Sequence, residues 1–163
     1  MSKSEFKEVI NASTEEVWEV LFNQYGDIHV HNPSMPSSKY LGNAATKGEL
    51  NCSRYCTFSD KLFLEEKITQ VDEHKSFKVE SYKHNLPLLK DMSAMYELTP
   101  VGDNQTEVKM TSYAATSPSF MIYLMKGQLG KGLKQHLFGM RYYIETGKTV
   151  NKDTYTTVFK NYK

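Results

Sequence analysis

Cysteine is nearly missing: Cys52 and Cys56 are the two in 163 residues, which excludes a disulfide-stapled scaffold. They sit four apart on a strand-like segment, about 13 Å between Cα atoms at ~3.3 Å per residue, too far for a mutual bond. Proline is also scarce, at five residues, and no Pro/Gly-rich linker, repeat or low-complexity run divides the chain. An excess of either charge is lacking too, since 20 Lys and Arg face 19 Asp and Glu for a net +1. That balance removes the electrostatic case for nucleic acid and for a strongly anionic membrane surface. No stretch approaches the ~18 apolar residues of a membrane span, and Met1-Ser2-Lys3-Ser4-Glu5 has no apolar signal core. The expectation is a cytoplasmic domain without integral membrane association.

Motifs of chemistry are equally sparse. No nucleophile elbow, phosphate-cradling loop or paired-carboxylate motif occurs, and Gly127 to Gly132 lack the strand-loop context of a phosphate loop. His29 and His31 form an H-x-H beside Asn32, but zinc needs three or four ligands. No metal and no other cofactor is therefore expected.

What the chain has is aromatic and sulfur-bearing bulk. Eleven Tyr, eight Phe and eight Met outnumber the 15 Val and Ile together. Such side chains build ordinary cores and also line adaptable, partly polar cavities.

Order along the chain follows from periodicity. Residues 4–11 read as a strand. Ser13 and Glu16 have capping-box spacing, and Val17, Trp18, Leu21 and Phe22 recur at helical intervals up to Tyr25-Gly26. Asn32-Pro33-Ser34 and Pro36 then break the chain before an extended stretch through Leu41. Period-2 segments follow at 50–58, 62–72, 76–84, 92–99 and 105–115, joined by hairpin-length connections, so the sheet is antiparallel. A three-residue loop at Ser59-Asp60-Lys61 pairs Cys56 with Leu64, Arg54 with Glu66 and Cys52 with Ile68. This even-numbered face is the apolar one and points inward, carrying one opposed charge pair.

A long amphipathic helix occupies 119–146, with Gly147 at its end. Its stripe is Ile122, Met125, Leu129, Leu133, His136, Leu137, Met140 and Ile144, and Gly127, Gly130 and Gly132 weaken its middle. The sheet must cover its apolar face, and this helix is the element long enough to do so. Residues 148–163 form a polar tail with a strand-like run at Tyr155 to Phe159.

At several points the chain resembles the START-like, or SRPBCC, superfamily: the polyketide cyclase/dehydrase-like proteins with the helix-grip fold of the birch-pollen allergen. The resemblance lies in Asn11-Ala12-Ser13-Thr14-Glu15-Glu16-Val17-Trp18, in Asn32-Pro33-Ser34 with Ser38, and in Glu66-Lys67-Ile68-Thr69-Gln70-Val71-Asp72-Glu73. It continues through Tyr96-Glu97-Leu98-Thr99-Pro100, Thr106-Glu107-Val108 and Tyr143-Ile144-Glu145-Thr146-Gly147, so that it spans a domain of residues 1–147. These signatures mark a fold and not a reaction. They imply an α+β helix-grip fold: a curved antiparallel sheet of about seven strands around a long C-terminal helix, with one or two short helices between strands 1 and 2.

The function so implied is binding of a small, mostly apolar ligand, such as a lipid, polyketide or aromatic metabolite, between sheet and helix. An aromatase/cyclase-type enzyme acting on a small hydrophobic substrate is the alternative, with Arg54, Tyr96 or His136 supplying polarisation or proton transfer. A partner-binding regulatory module is a third. The candidate ligand-binding residues are Arg54, Glu66, Met92, Tyr96, Met110, Met125, Leu129, Leu133 and His136. Arg54 and Glu66 read either as an anchor for a ligand carboxylate or hydroxyl or as a structural pair closing one end of the barrel. His136 reads as a hydrogen-bonded buried histidine or as a catalytic base.

Overall fold

The computed structural model describes residues 1–42 and 46–162. Seven strands form a single antiparallel sheet: β1 (Ser2–Ile10), β2 (Ser37–Leu41), β3 (Ser53–Thr57), β4 (Phe63–Asp72), β5 (Ser76–His84), β6 (Leu89–Gly102) and β7 (Gln105–Thr116). Their spatial order is β1-β7-β6-β5-β4-β3-β2. Every strand is thus beside its sequence neighbour except β1, which closes onto β7. Register shifts between Glu65 and Glu66, Ile68 and Gln70, Leu89 and Asp91, and Pro100 and Gly102 interrupt the ladders. Such irregularities bend strands, and here they curl the sheet.

Between β1 and β2 lies a short helical connection. Helix α1 (Thr14–Trp18) starts at Ser13, whose side chain accepts from the Glu16 amide while the Glu16 carboxylate accepts from the Ser13 amide. Both capping-box bonds are therefore made. The chain then widens into a π-helical turn (Glu19–Asn23) and a kinked 3-10 segment (Tyr25–Val30). That widening lets Trp18 and Phe22 stack, their centroids 4.3 Å apart. Both rings meet Phe77 of β5 edge-on, so Trp18 is core.

The C-terminal helix α2 (Met121–Thr146) lies along the concave face, ending where Gly147 takes φ 69°. Its path is fixed by contacts to β1 and the residue after it: Glu145 accepts from the Asn11 amide, Arg141 pairs with Glu8, and Lys134 lies over the Phe6 ring. No helix among the described residues is long and apolar enough to cross a membrane.

The tail differs from expectation. Tyr155 to Phe159 is not strand but the beginning of helix α3 (Tyr155–Asn161). Tyr155, Phe159 and Tyr162 recur at helical spacing and close around Phe138 of α2, with Phe159 4.9 Å from it centroid to centroid. Packing those rings against Phe138 outweighs the strand preference of Thr156, Thr157 and Val158.

Candidate functional site

Helix α2 is packed unevenly. Its five buried residues are consecutive, His136 to Met140, and residues 121–135 contain none. Gly139 explains the tight half. A Cβ there would lie 2.3 Å from the His31 carbonyl oxygen and 2.8 Å from Pro33 Cδ, so the 31–33 loop presses directly on the helix backbone. In the other half, Ile122, Met125, Leu129 and Leu133 keep to the inner stripe yet stay only half-buried. Cβ atoms added at Gly127 and Gly132 would touch nothing within 4 Å, whereas one at Gly130 would stand 3.3 Å from Phe6 Cζ. Of the three mid-helix glycines, then, only Gly130 admits a bulky neighbour.

The sheet beneath this loose half is lined by small side chains. Beyond Phe6 the rows under the helix are Ser4–Ser112–Ala94 and Ser2–Ala114–Met92. With Cβ or Oγ as the last atom at most of these positions, the wall is low where the helix stands off.

Next to the tightly packed half of α2 is a buried polar cluster. Arg54 and Glu66 face each other across β3 and β4, 3% and 8% exposed. Arg54 Nε donates to Glu66 Oε1 at 2.7 Å, Nη2 donates to the same oxygen, and Nη1 donates to the Tyr25 carbonyl at 2.7 Å. The guanidinium carbon also lies 3.9 Å from the Tyr25 ring centroid. All three Arg54 nitrogens donate within the protein, through three of the guanidinium's five N–H groups.

Around the pair stand Tyr96, His31 and His136. Tyr96 stacks on Phe77 at 4.8 Å and its hydroxyl lies 3.3 Å from His136 Nε2. His31 stacks on His136 at 5.5 Å and on Tyr143 at 6.2 Å. Among the described residues, Tyr25 Oη, both ring nitrogens of His31 and His136 Nδ1 are buried without a protein partner. Burial, aided by the Arg54 charge, pushes the His31 ring down to about 3. Burial first, then His31 and Arg54, hold His136 well below the usual imidazole range. Burial raises the Tyr25 and Tyr96 phenols and takes the Cys56 thiol up to about 12. For Arg54, burial is the largest single influence and favours the neutral form, but Glu66 together with Tyr25, Cys56 and Tyr96 raises the pKa overall. At neutral pH the cluster is therefore one matched ion pair among uncharged rings.

The remaining candidates fall into two groups. Met110 is fully buried in the main core beside Tyr96. Met92 is half-buried near the small-residue rows, as are Met125, Leu129 and Leu133 on α2. His31 and Tyr25 were not legible as site residues, because each reaches the cluster from a loop or short helix with no local periodicity. His29 instead turns to Ser38, its Nδ1 2.8 Å from Oγ, and Cys52 and Cys56 are separate buried thiols. Among the described residues no three His, Cys, Asp or Glu side chains are grouped closely enough to hold a metal ion. A separate open groove of about 490 Å³ runs between α1 and the end of α2, past Glu15, Glu16, Glu19, Tyr143 and Ile144. Three glutamates border it, but most of its exposed lining is apolar, with Val20 and Gly147 completing it.

Comparison with known proteins gives a family and several likenesses of fold. A family described as "Polyketide cyclase / dehydrase and lipid transport" matches residues 1–135. No curated protein matches the sequence. Among solved structures, a protein from Nitrosospira multiformis is similar at 15% identity and TM-score 0.68, over 90% of this chain and 98% of that one. Ara h 8.0201 is similar at 12% identity and TM-score 0.70, over 88% and 97%. Norcoclaurine synthase from Thalictrum flavum is similar at 14% identity and TM-score 0.65, over 88% and 86%.

Proposed function

The chain belongs to the polyketide cyclase/dehydrase and lipid-transport family, and from this we propose that it binds a small, mostly apolar molecule between the first half of α2 and the sheet. The fold is one that supports such a cavity. The observation that carries the reading is the mismatch along α2: an apolar stripe that stays half-buried, above rows of serine and alanine. A helix that simply completed a core would bury this stripe as fully as it buries Leu137 and Met140. Met92, Met125, Leu129 and Leu133 would line the ligand's apolar part, and Tyr96 and His136 its inner end. Arg54 and Glu66 would frame that end. A fluorescent fatty acid or aromatic probe tests this. Binding should weaken about tenfold or more in Leu129→Glu, which sets a charge in the apolar lining, while the circular dichroism spectrum stays native. Equal binding by the variant would refute the location. Native mass spectrometry of protein from its own cells would identify a retained ligand.

Two other readings keep one supporting observation each. The contact between Tyr96 Oη and His136 Nε2 is a buried acid–base couple, which favours an aromatase/cyclase-type reaction on a hydrophobic substrate. Turnover that collapses in Tyr96→Phe would establish it. Exposed Phe120, Tyr123 and Leu124 at the start of α2 favour a partner-binding regulatory module.

A further inference from the structure

Bulky apolar residues run together where α2 begins, Phe120-Met121-Ile122-Tyr123-Leu124-Met125, and none of them is buried. A helix that is apolar on every side normally sits inside a core or a membrane. Ile122 and Met125 belong to the inner stripe, whereas Phe120, Tyr123 and Leu124 share the opposite face at helical spacing. Those three are 61%, 81% and 74% exposed. Leu88 adds to the same surface: it is 40% exposed, and its carbonyl accepts from the Ser117 amide just before the helix.

The net charge of +1 conceals a local imbalance beside this surface. From Val108 to Ile144 the chain has no Asp or Glu, and five Lys or Arg. Lys109 is matched by Glu97 and Arg141 by Glu8. Lys126, Lys131 and Lys134, in the turns after the apolar tip, are exposed. None of the three forms an ion pair with a described residue. Lys131 lies seven residues after Leu124 and Lys134 eleven after Tyr123, so both continue the outer face. On the neighbouring strands the acids are Asp91, next to Lys90, and Glu5, which pairs with Lys3.

We infer that this end of the molecule docks on an anionic lipid surface. Phe120, Tyr123 and Leu124 enter the boundary between headgroups and acyl chains, and the three lysines meet the headgroups. The direction of the pattern favours lipid over a protein groove. A groove reads one apolar stripe sustained along a helix, but here the outer stripe turns from apolar to basic after Leu124. The change runs along the axis, over about 10 Å from Leu124 to Lys131 at 1.5 Å per residue. That matches the ~5–10 Å depth to which interfacial helices sink, with tyrosine at the polar boundary. The apolar run is far too short to span, so the docking is peripheral. It is independent of what the space beneath α2 holds.

Co-sedimentation of the intact protein with two kinds of vesicle tests this: phosphatidylcholine alone, and equal parts phosphatidylcholine and phosphatidylserine. Binding should need phosphatidylserine and weaken as salt is raised. Tyr123→Ser with Leu124→Ser should cut it about tenfold or more, and Lys126→Gln with Lys131→Gln by about the same factor. All four side chains are exposed, so both variants should keep the parent's Tm. Emission from Phe120→Trp should shift to the blue with the mixed vesicles. Failure to sediment with the mixed vesicles would overturn the inference. Binding that survives both pairs of substitutions would also overturn it, by placing the contact on another face. So would self-association, seen by sedimentation velocity and abolished by Tyr123→Ser with Leu124→Ser, because the face would then belong to a second copy. A parent that binds the mixed vesicles but no fluorescent fatty acid would uphold the docking while the cavity reading fails.

Discussion

Replacing Arg54 by Met, alone and together with Glu66→Leu, separates the stability of the buried ion pair from its geometry. Arg54 is 3% exposed and Glu66 8%, so neither charge is solvated when its partner is gone. Removing one member of such a pair costs about 3–5 kcal/mol, because the survivor is left uncompensated. Arg54→Met also frees the Tyr25 carbonyl, for roughly 1 kcal/mol more. For a domain of this size about 1 kcal/mol moves Tm by ~2–4 °C, so the single variant should melt about 10 °C or more below the parent. The double variant removes both charges and fills the space with side chains of similar volume, among Cys56, Leu64 and Ile68 on the same face. It should recover all but about 1 kcal/mol of the loss, or exceed the parent. Urea unfolding of the four proteins at neutral pH measures this directly. A single variant within about 1 kcal/mol of the parent would refute the claim that the pair is desolvated. A double variant as unstable as the single would show that the bond to the Tyr25 carbonyl, and not the charge, holds β3 to the 3-10 segment.

His31 and His136 give a pH prediction. Their folded pKa values lie below the unfolded value of about 6.5, with His31 near 3, so the unfolded chain binds more protons below pH 6.5. Stability is then complete above that pH and falls as pH drops towards the folded values, by roughly 1 kcal/mol per unit for each histidine. Urea titrations at pH 7, 6 and 5 should show the slope, and His31→Phe should reduce it; an unchanged slope would count against the buried neutral ring. Gly139→Ala should destabilise severely, since its Cβ would sit 2.3 Å from a backbone oxygen. Gly127→Ala, with open space around it, should stabilise by about 1 kcal/mol; similar melting of the two variants would contradict the asymmetric packing of α2. Truncation after Gly147 should lower Tm by stripping the cover from Phe138, and an unaltered Tm would make α3 dispensable.

Much of the fold was legible because short-range rules govern it. The three-residue loop and the alternation around it gave the pairing of Arg54 with Glu66, and Ser13, Glu16 and Gly147 marked helix ends. Tyr96 and His136 were legible as inward residues for the same reason. The tail misled, because Thr156, Thr157 and Val158 favour strand while the signal for a helix was the wider spacing of Tyr155, Phe159 and Tyr162. Nothing local marks His31, which follows a kinked 3-10 segment and is buried by contact with a helix more than a hundred residues away. Gly139 was the hint. A fourth glycine in a long helix, set between Phe138 and Met140 in its most apolar stretch, signals another backbone pressed against it. The engagement of Arg54 by the Tyr25 carbonyl was equally hidden, since it depends on how that segment folds back over β3.

The division of α2 at residue 135 makes it a cantilever. The stretch from His136 to Met140 is clamped between the 31–33 loop and the sheet, Gly130, Leu133 and Lys134 still touch Phe6 or the core, and the residues before Gly130 overhang. Substitutions at Ile122 or Met125 therefore change the half-buried stripe while the clamp carries the load. Side-chain change in the overhang thereby disturbs little of the packed core. Substitutions can accumulate there without the domain first losing its core.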